Sequence, residues 1–156
     1  MFKILKNTFL VVILGIFISA CSTTAKKAGK AAGDVYTGTD TVKYLATGVA
    51  DRVFFATNST GLTSAAKTTL IKQAGYIKSS KISVVIEGHA DERGTREYNL
   101  ALGERRANAA RDYLMAKGVA KSSIKVISYG KERPANTDSS KLAWSQNRRS
   151  VTVKAK

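Results

Sequence analysis

A single cysteine, Cys21, stands at the end of a short apolar run, and its placement limits what the rest of the chain can fold into. With no second thiol there is no internal disulfide, so whatever folds beyond Cys21 must be held by its own core. The run itself, Phe9 to Ile18, is too short for a comfortable membrane span, which needs roughly 20 apolar residues. Lys3 and Lys6 stand at its start, and the small residues Ser19 and Ala20 follow it. A basic start, a short apolar centre and small residues before a cleavage point make a secretory signal, so residues 1–20 read as a signal peptide.

Ile18-Ser19-Ala20-Cys21 resembles the lipobox of bacterial lipoproteins. The resemblance implies that the Cys21 thiol is acylated and becomes the first residue after cleavage. Ser22, where an Asp would favour inner-membrane retention, resembles the outer-membrane class, with the domain on the periplasmic face. More than one acyl chain would anchor stably in outer-membrane lipid, whereas a single chain binds only marginally. The plain alternative is an unmodified thiol closing an uncleaved anchor helix.

The full chain carries 26 basic and 11 acidic residues, a formal charge of +15. Removing Lys3 and Lys6 with the signal leaves +13, because every acidic residue lies beyond it. Such a balance suits an anionic partner: nucleic acid, a membrane surface or an acidic polymer. A secretory signal sets nucleic acid aside and leaves anionic lipid and the carboxylate-rich bacterial wall. Scattered lysines that only keep a secreted domain soluble are the other reading.

Residues 21–50 read as a lipidated N-terminus and flexible tether. Ala25-Lys26-Lys27-Ala28-Gly29-Lys30-Ala31-Ala32-Gly33 is small and basic, with little to bury. Whether Val42, Tyr44 and Leu45 dock on the domain is left open. Residues 51–156 are globular. Arg52-Val53-Phe54-Phe55 predicts a strand. Thr63 caps a helix with Ala66, Leu70, Ala74 and Ile77 on one face. Ile82–Ile86 predicts a second strand, and Thr95 caps a long helix to about Lys117, stopped by Gly118. Ile124–Tyr129 and Ser150–Val153 predict two more strands, with a short helix closing near Trp144-Ser145-Gln146. The order β-α-β-α-β-(α)-β gives an α+β or α/β sandwich with helices on one sheet face.

Two stretches carry a family resemblance. Glu87-Gly88-His89-Ala90-Asp91-Glu92-Arg93-Gly94-Thr95 runs into Glu97-Tyr98-Asn99-Leu100-Ala101-Leu102-Gly103-Glu104-Arg105-Arg106-Ala107, and Ser128-Tyr129-Gly130-Lys131-Glu132 and Asn147-Arg148-Arg149 follow. Together they resemble the peptidoglycan-associated lipoproteins of the Tol–Pal system, within the OmpA C-terminal domain family, over Arg52 to Val153. The resemblance implies an α+β fold with helices on one face of a mixed sheet. It implies non-catalytic binding of peptidoglycan through meso-diaminopimelate, partnership with TolB and other Tol–Pal proteins, and no cofactor or metal. The family's ligand-binding Asp and Arg fall on Asp91 and Arg106. Phe55, Asn58, His89, Asn99 and Arg148 are further candidates. Asn58 stands where the family commonly has Asp, so that position brings an acceptor but no charge.

The residues support the pair physically. A carboxylate and a guanidinium side by side complement a zwitterion: Asp91 takes the ammonium, and Arg106 clasps the carboxylate with paired hydrogen bonds. An Asp91–Arg106 salt bridge that merely orders the loop is the structural alternative. A second function class is a wall-modifying enzyme using Glu87, His89, Asp91 and Glu92. Against it stand the lack of a second histidine and of a Gly-x-Ser-x-Gly elbow.

The basic–apolar–Cys order makes Cys21 the expected membrane anchor. Cys21→Ser should leave a precursor or a soluble species. Intact mass spectrometry of the membrane-bound chain checks this; an unacylated Cys21 there would end the anchor reading.

Overall fold

The computed structural model describes residues 31–32 and 34–156. The expected signal segment and Cys21 lie outside the described residues. Two short antiparallel pairs come first: β1 (Ala31–Ala32) with β2 (Val35–Tyr36), and β3 (Tyr44–Ala46) with β4 (Val49–Ala50). The main sheet then builds from β5 (Arg52–Phe54), β6 (Val84–His89), β7 (Ile124–Gly130) and β8 (Arg149–Lys154). Between them lie α1 (Ser64–Ser80), α2 (Arg96–Ala116) and α3 (Lys141–Asn147). Strand order is β5-β8-β6-β7, with β6 and β7 parallel and β8 antiparallel to both neighbours. The parallel pair requires a crossover, and α2 supplies it. This is the expected α+β fold with a mixed sheet.

Each helix begins where the sequence offers an oxygen. Thr63 accepts from the Ala66 N–H, Thr95 from Tyr98 and Ser140 from Ala143. α2 ends in a reversal at Gly118, φ 86°, whose N–H bonds Met115 while Val119 returns to Leu114. Leu70, Ile77 and Leu114 from α1 and α2 meet Val84 and Ile86 from the sheet and Phe55 just after β5, all nearly or fully buried. Burying each such side chain contributes about 1.5–3 kcal/mol, and this core replaces the disulfides the chain lacks.

The second strand starts and ends two to three residues later than the sequence pattern predicts. Lys81, at φ 50°, closes α1, and the Ile82 N–H bonds back to Ile77, so Ile82 belongs to the helix stop. At the other end Gly88 does not end the strand. It is the point where α2 crosses the sheet: a Cβ there would lie 1.8 Å from the Gly103 carbonyl oxygen.

The expected tether also differs from the structure. Residues 34–50 are laid on the domain rather than running free. Tyr36 is 2% exposed and meets Phe54 edge-on at 4.8 Å, and Leu45 joins the core. Ala50 is tied through its carbonyl to the Gln73 amide. Small and polar neighbours hide these apolar anchors from a composition argument. Among the described residues no helix is long and apolar enough to cross a membrane.

Gly88→Ala should lower stability by about 1–3 kcal/mol or more, because two backbones must separate to admit one methyl group. Thermal melting checks it; a melting temperature near wild type would show that the α2–β6 approach can relax.

Candidate functional site

The C-terminal end of β6 leads directly into the site. The Ala90 N–H bonds to the Gly130 carbonyl, and the chain then leaves the sheet at Asp91. Asp91 Oδ1 accepts from the Arg93 backbone N–H (3.2 Å) and Arg93 Nε (3.1 Å). Its Oδ2 accepts from Arg93 Nη2 (2.7 Å) and Arg148 Nη1 (3.3 Å). Burial alone would push this carboxyl up; the Arg93 hydrogen bonds and charge, with Arg148, outweigh it and hold the group below the usual carboxylate range. Asn99, in the first turn of α2, donates to the Arg93 carbonyl at 2.8 Å and so fixes the loop from beneath.

Arg106 exposes none of its surface. Its Nε donates to the Ser59 carbonyl (3.0 Å), Nη1 to His89 (2.9 Å) and Nη2 to Ala56 (3.1 Å). Burial first, and the Arg148 charge second, bring this guanidinium down to about 10, with Asp91 pulling the other way. It remains a cation at neutral pH. The Asp91–Arg106 salt bridge of the structural alternative is not among the ion pairs of the described residues: Asp91 pairs with Arg93 and Arg148 instead. Asp91 and Arg106 nevertheless line one cavity of about 290 Å³, together with Thr57, Asn58, Arg93, Gly94, Tyr98, Asn99 and Leu102.

The other candidates divide. Asn58 and Asn99 line the cavity. Asn58 adopts a left-handed φ of 51°, and its Oδ1 accepts from the Tyr98 hydroxyl at 3.3 Å. Arg148 is 3% exposed, reaches Asp91 and the Phe55 carbonyl, and lines an adjoining cavity of about 270 Å³ with Asp34, Thr57, Arg93, Lys141, Trp144 and Ser145. Phe55 is a core residue: its backbone exchanges hydrogen bonds with Arg148, and its ring lies 5.4 Å from the Arg106 guanidinium. His89 is not among the residues that line the cavity; its ring packs against Tyr129 at 5.6 Å, near Glu87 Oε2 at 3.8 Å. Only its carbonyl reaches the site, through Arg106.

The acidic cluster offered for catalysis is not assembled. Glu87 stays beside His89, Asp91 is held by two arginines, and Glu92 accepts from Trp144 Nε1 and Ser139 Oγ. No group of three metal-ligating side chains occurs among the described residues. Sequence reasoning missed Arg93, Tyr98 and Asp34. The one signal available was the Asp-x-Arg spacing, in which a side chain folds back on the backbone N–H two residues on. Asp34 gave none.

The OmpA family pattern matches residues 54–148. The peptidoglycan-associated lipoprotein of Mesorhizobium japonicum is 58% identical over 106 residues, covering 67% of this chain and 63% of that protein. That of Pseudomonas aeruginosa is 49% identical over 96 residues, covering 62% of this chain and 57% of that protein. This chain therefore spans only about 60% of the length of those relatives. The crystal structure of the peptidoglycan-associated lipoprotein from Burkholderia pseudomallei superposes with a TM-score of 0.65 at 38% identity, covering 67% of this chain and 90% of that one. The chain belongs to the OmpA family, and within it to the group of the peptidoglycan-associated lipoproteins.

His89 is the only histidine, which makes its titration directly readable. Burial, then the charges of Arg149, Arg52 and Arg133, push it from 6.5 down to about 3. The unfolded chain therefore binds the extra proton first, and this group's share of stability is complete above about 6.5 and lost as pH falls toward 3. The imidazole NMR signal should keep its neutral-form shift from pH 7 to pH 5. A midpoint near 6.5 in the folded protein would show that the ring is solvated.

Proposed function

We propose that this chain is a lipid-anchored envelope protein that binds peptidoglycan non-covalently through the meso-diaminopimelate of the wall peptide. Acylated Cys21 holds the outer membrane, and the domain beyond it grips the wall. The observation that carries this reading is the one cavity that Asp91 and Arg106 line together. Diaminopimelate ends in a carbon bearing both an ammonium and a carboxylate. Asp91 is the one acidic residue lining that cavity, and Arg93 and Arg106 supply cations beside it. Arg106 uses three of its five N–H groups on carbonyls and is wholly buried, so what it offers a carboxylate in the cavity is chiefly its charge. Arg93, whose side chain is 42% exposed, is the partner of Asp91 that an incoming ammonium displaces.

Counting the adjoining cavity, Arg93, Arg106, Arg148 and Lys141 face Asp34 and Asp91. The excess of cations favours a ligand with more carboxylates than amines, as wall peptides have. Support for TolB and the other Tol–Pal proteins as partners is the likeness to the peptidoglycan-associated lipoproteins. Repetition of the peptide along the wall multiplies a modest single-site affinity. The role is that of a tether and not of a catalyst.

The test is a pull-down of the full chain in detergent on purified sacculi. Asp91→Asn keeps the shape and an acceptor for the Arg93 N–H but loses the charge. Binding should weaken about tenfold or more with folding retained. Arg106→Lys should instead lower the melting temperature as well, because orphaned buried carbonyls cost about 1–3 kcal/mol each. A folded Asp91→Asn chain that binds sacculi like wild type would remove Asp91 from the ligand site. Release of soluble muropeptides by the wild type would favour the enzyme reading.

A further inference from the structure

The segment ahead of the domain places a carboxylate beside the proposed peptide site. Asp34 Oδ2 accepts from the Thr57 backbone N–H at 2.5 Å, and Oδ1 accepts from Thr57 Oγ1 and Arg148 Nη2, both at 3.0 Å. Arg148 Nη2 also donates to the Asp34 backbone carbonyl. A main-chain amide, a hydroxyl and a guanidinium converging on two oxygens is the donor set by which proteins recognise a carboxylate group.

We propose that Thr57 and Arg148 form a second carboxylate subsite of the peptide-binding site, and that Asp34 fills it as a built-in competitor. The inference rests on the wall-peptide reading above. The ligand group is a further carboxylate of the same peptide, beyond the one drawn to Arg106.

Three observations carry it. Thr57 lines both cavities, so the subsite is continuous with the one that holds Asp91. Arg148 bonds Asp34 and Asp91 at once, through different Nη atoms. The host and the occupant also differ in burial. The Arg148 side chain is 3% exposed, whereas that of Asp34 is 53% exposed. A buried donor with an exposed acceptor describes a built slot with a removable occupant. Tyr36 anchors the segment in the core two residues further on, so Asp34 can leave while the segment stays docked.

Release of Asp34 raises the fraction of molecules whose subsite is open, and apparent affinity rises by that fraction. With Asp34 half exposed, its hold is close to that of a surface ion pair, and the gain is about two- to fivefold. Calorimetric titration of a diaminopimelate-containing muropeptide into the detergent-solubilised full chain, wild type and Asp34→Asn, measures it. Tighter binding by Asp34→Asn supports the subsite. Unchanged or weaker binding by a folded Asp34→Asn chain overturns it and makes Asp34 a structural staple.

A second arm does not depend on the muropeptide. Sodium acetate should shift the Thr57 amide resonance in Asp34→Ala and leave it in place in wild type. No shift in Asp34→Ala overturns the subsite. Muropeptide binding by neither protein would sink the wall-peptide reading alone, and the acetate arm then decides the subsite.

Discussion

The buried guanidinium of Arg106 joins three parts of the chain that share no hydrogen-bond ladder. It takes the His89 carbonyl at the end of β6 and the Ala56 and Ser59 carbonyls in the loop after β5, and it does so from the middle of α2. A charge this deep is costly unless its hydrogens are used and a counter-charge is near. The three carbonyls meet the first need, and Asp91 in the same cavity meets the second. The loop, the strand end and the carboxylate are thus fixed with respect to one another by one side chain. Gly88 and Gly103 make the arrangement possible, since only the absence of Cβ atoms lets α2 lie close enough to β6.

Around that centre the Asp91 loop is held at several points before any ligand arrives. Asn99 takes the Arg93 carbonyl, Lys131 Nζ donates to the Glu92 and Gly94 carbonyls, and Trp144 Nε1 takes the Glu92 carboxylate. The Arg93 guanidinium lies 4.3 Å above the Trp144 ring, which supports it in the position that reaches Asp91. A loop ordered in advance loses less entropy on binding, so more of each contact appears as affinity. Glu92, one of the two glutamates offered for catalysis, and the tryptophan assigned to a short helix are both part of this bracing.

What the sequence made legible was whatever is encoded locally. Caps at Thr63 and Thr95, the stop at Gly118 and the β-branched strands follow from near neighbours. The residues expected at the site came from the family resemblance, not from periodicity. Missed features depend on contacts between distant segments: Asp34 and Arg148 are 114 residues apart, and Arg93 reaches Thr57 across 36. Arg106 borders the apolar stripe of α2, and its full burial depends on carbonyls from elements the helical period does not describe. Gln73 repeats the point on α1, a polar residue wholly buried because the Ala50 carbonyl and the Thr152 hydroxyl satisfy it. Arg149, the neighbour of Arg148, is buried too, and donates to the Arg133 carbonyl.

Part of the positive charge lies away from the site. Lys78, Lys81, Lys117, Lys121 and Lys154 are exposed at the end of the domain where α1 and α2 finish and β8 ends, opposite the C-terminal end of β6. Part of that charge does local work: Lys78 Nζ caps the Lys117 carbonyl, and Lys117 and Lys154 lie over the Tyr113 and Tyr76 rings. Cations at helix C-termini are favourable against the macrodipole, so this pole has a structural reason to be basic. The residues that face the two cavities are mixed in sign and largely paired. Net charge therefore cannot select a zwitterion on its own. Its reach is limited by salt to roughly 10 Å, so selectivity for any ligand rests on the paired arginines and aspartates at contact.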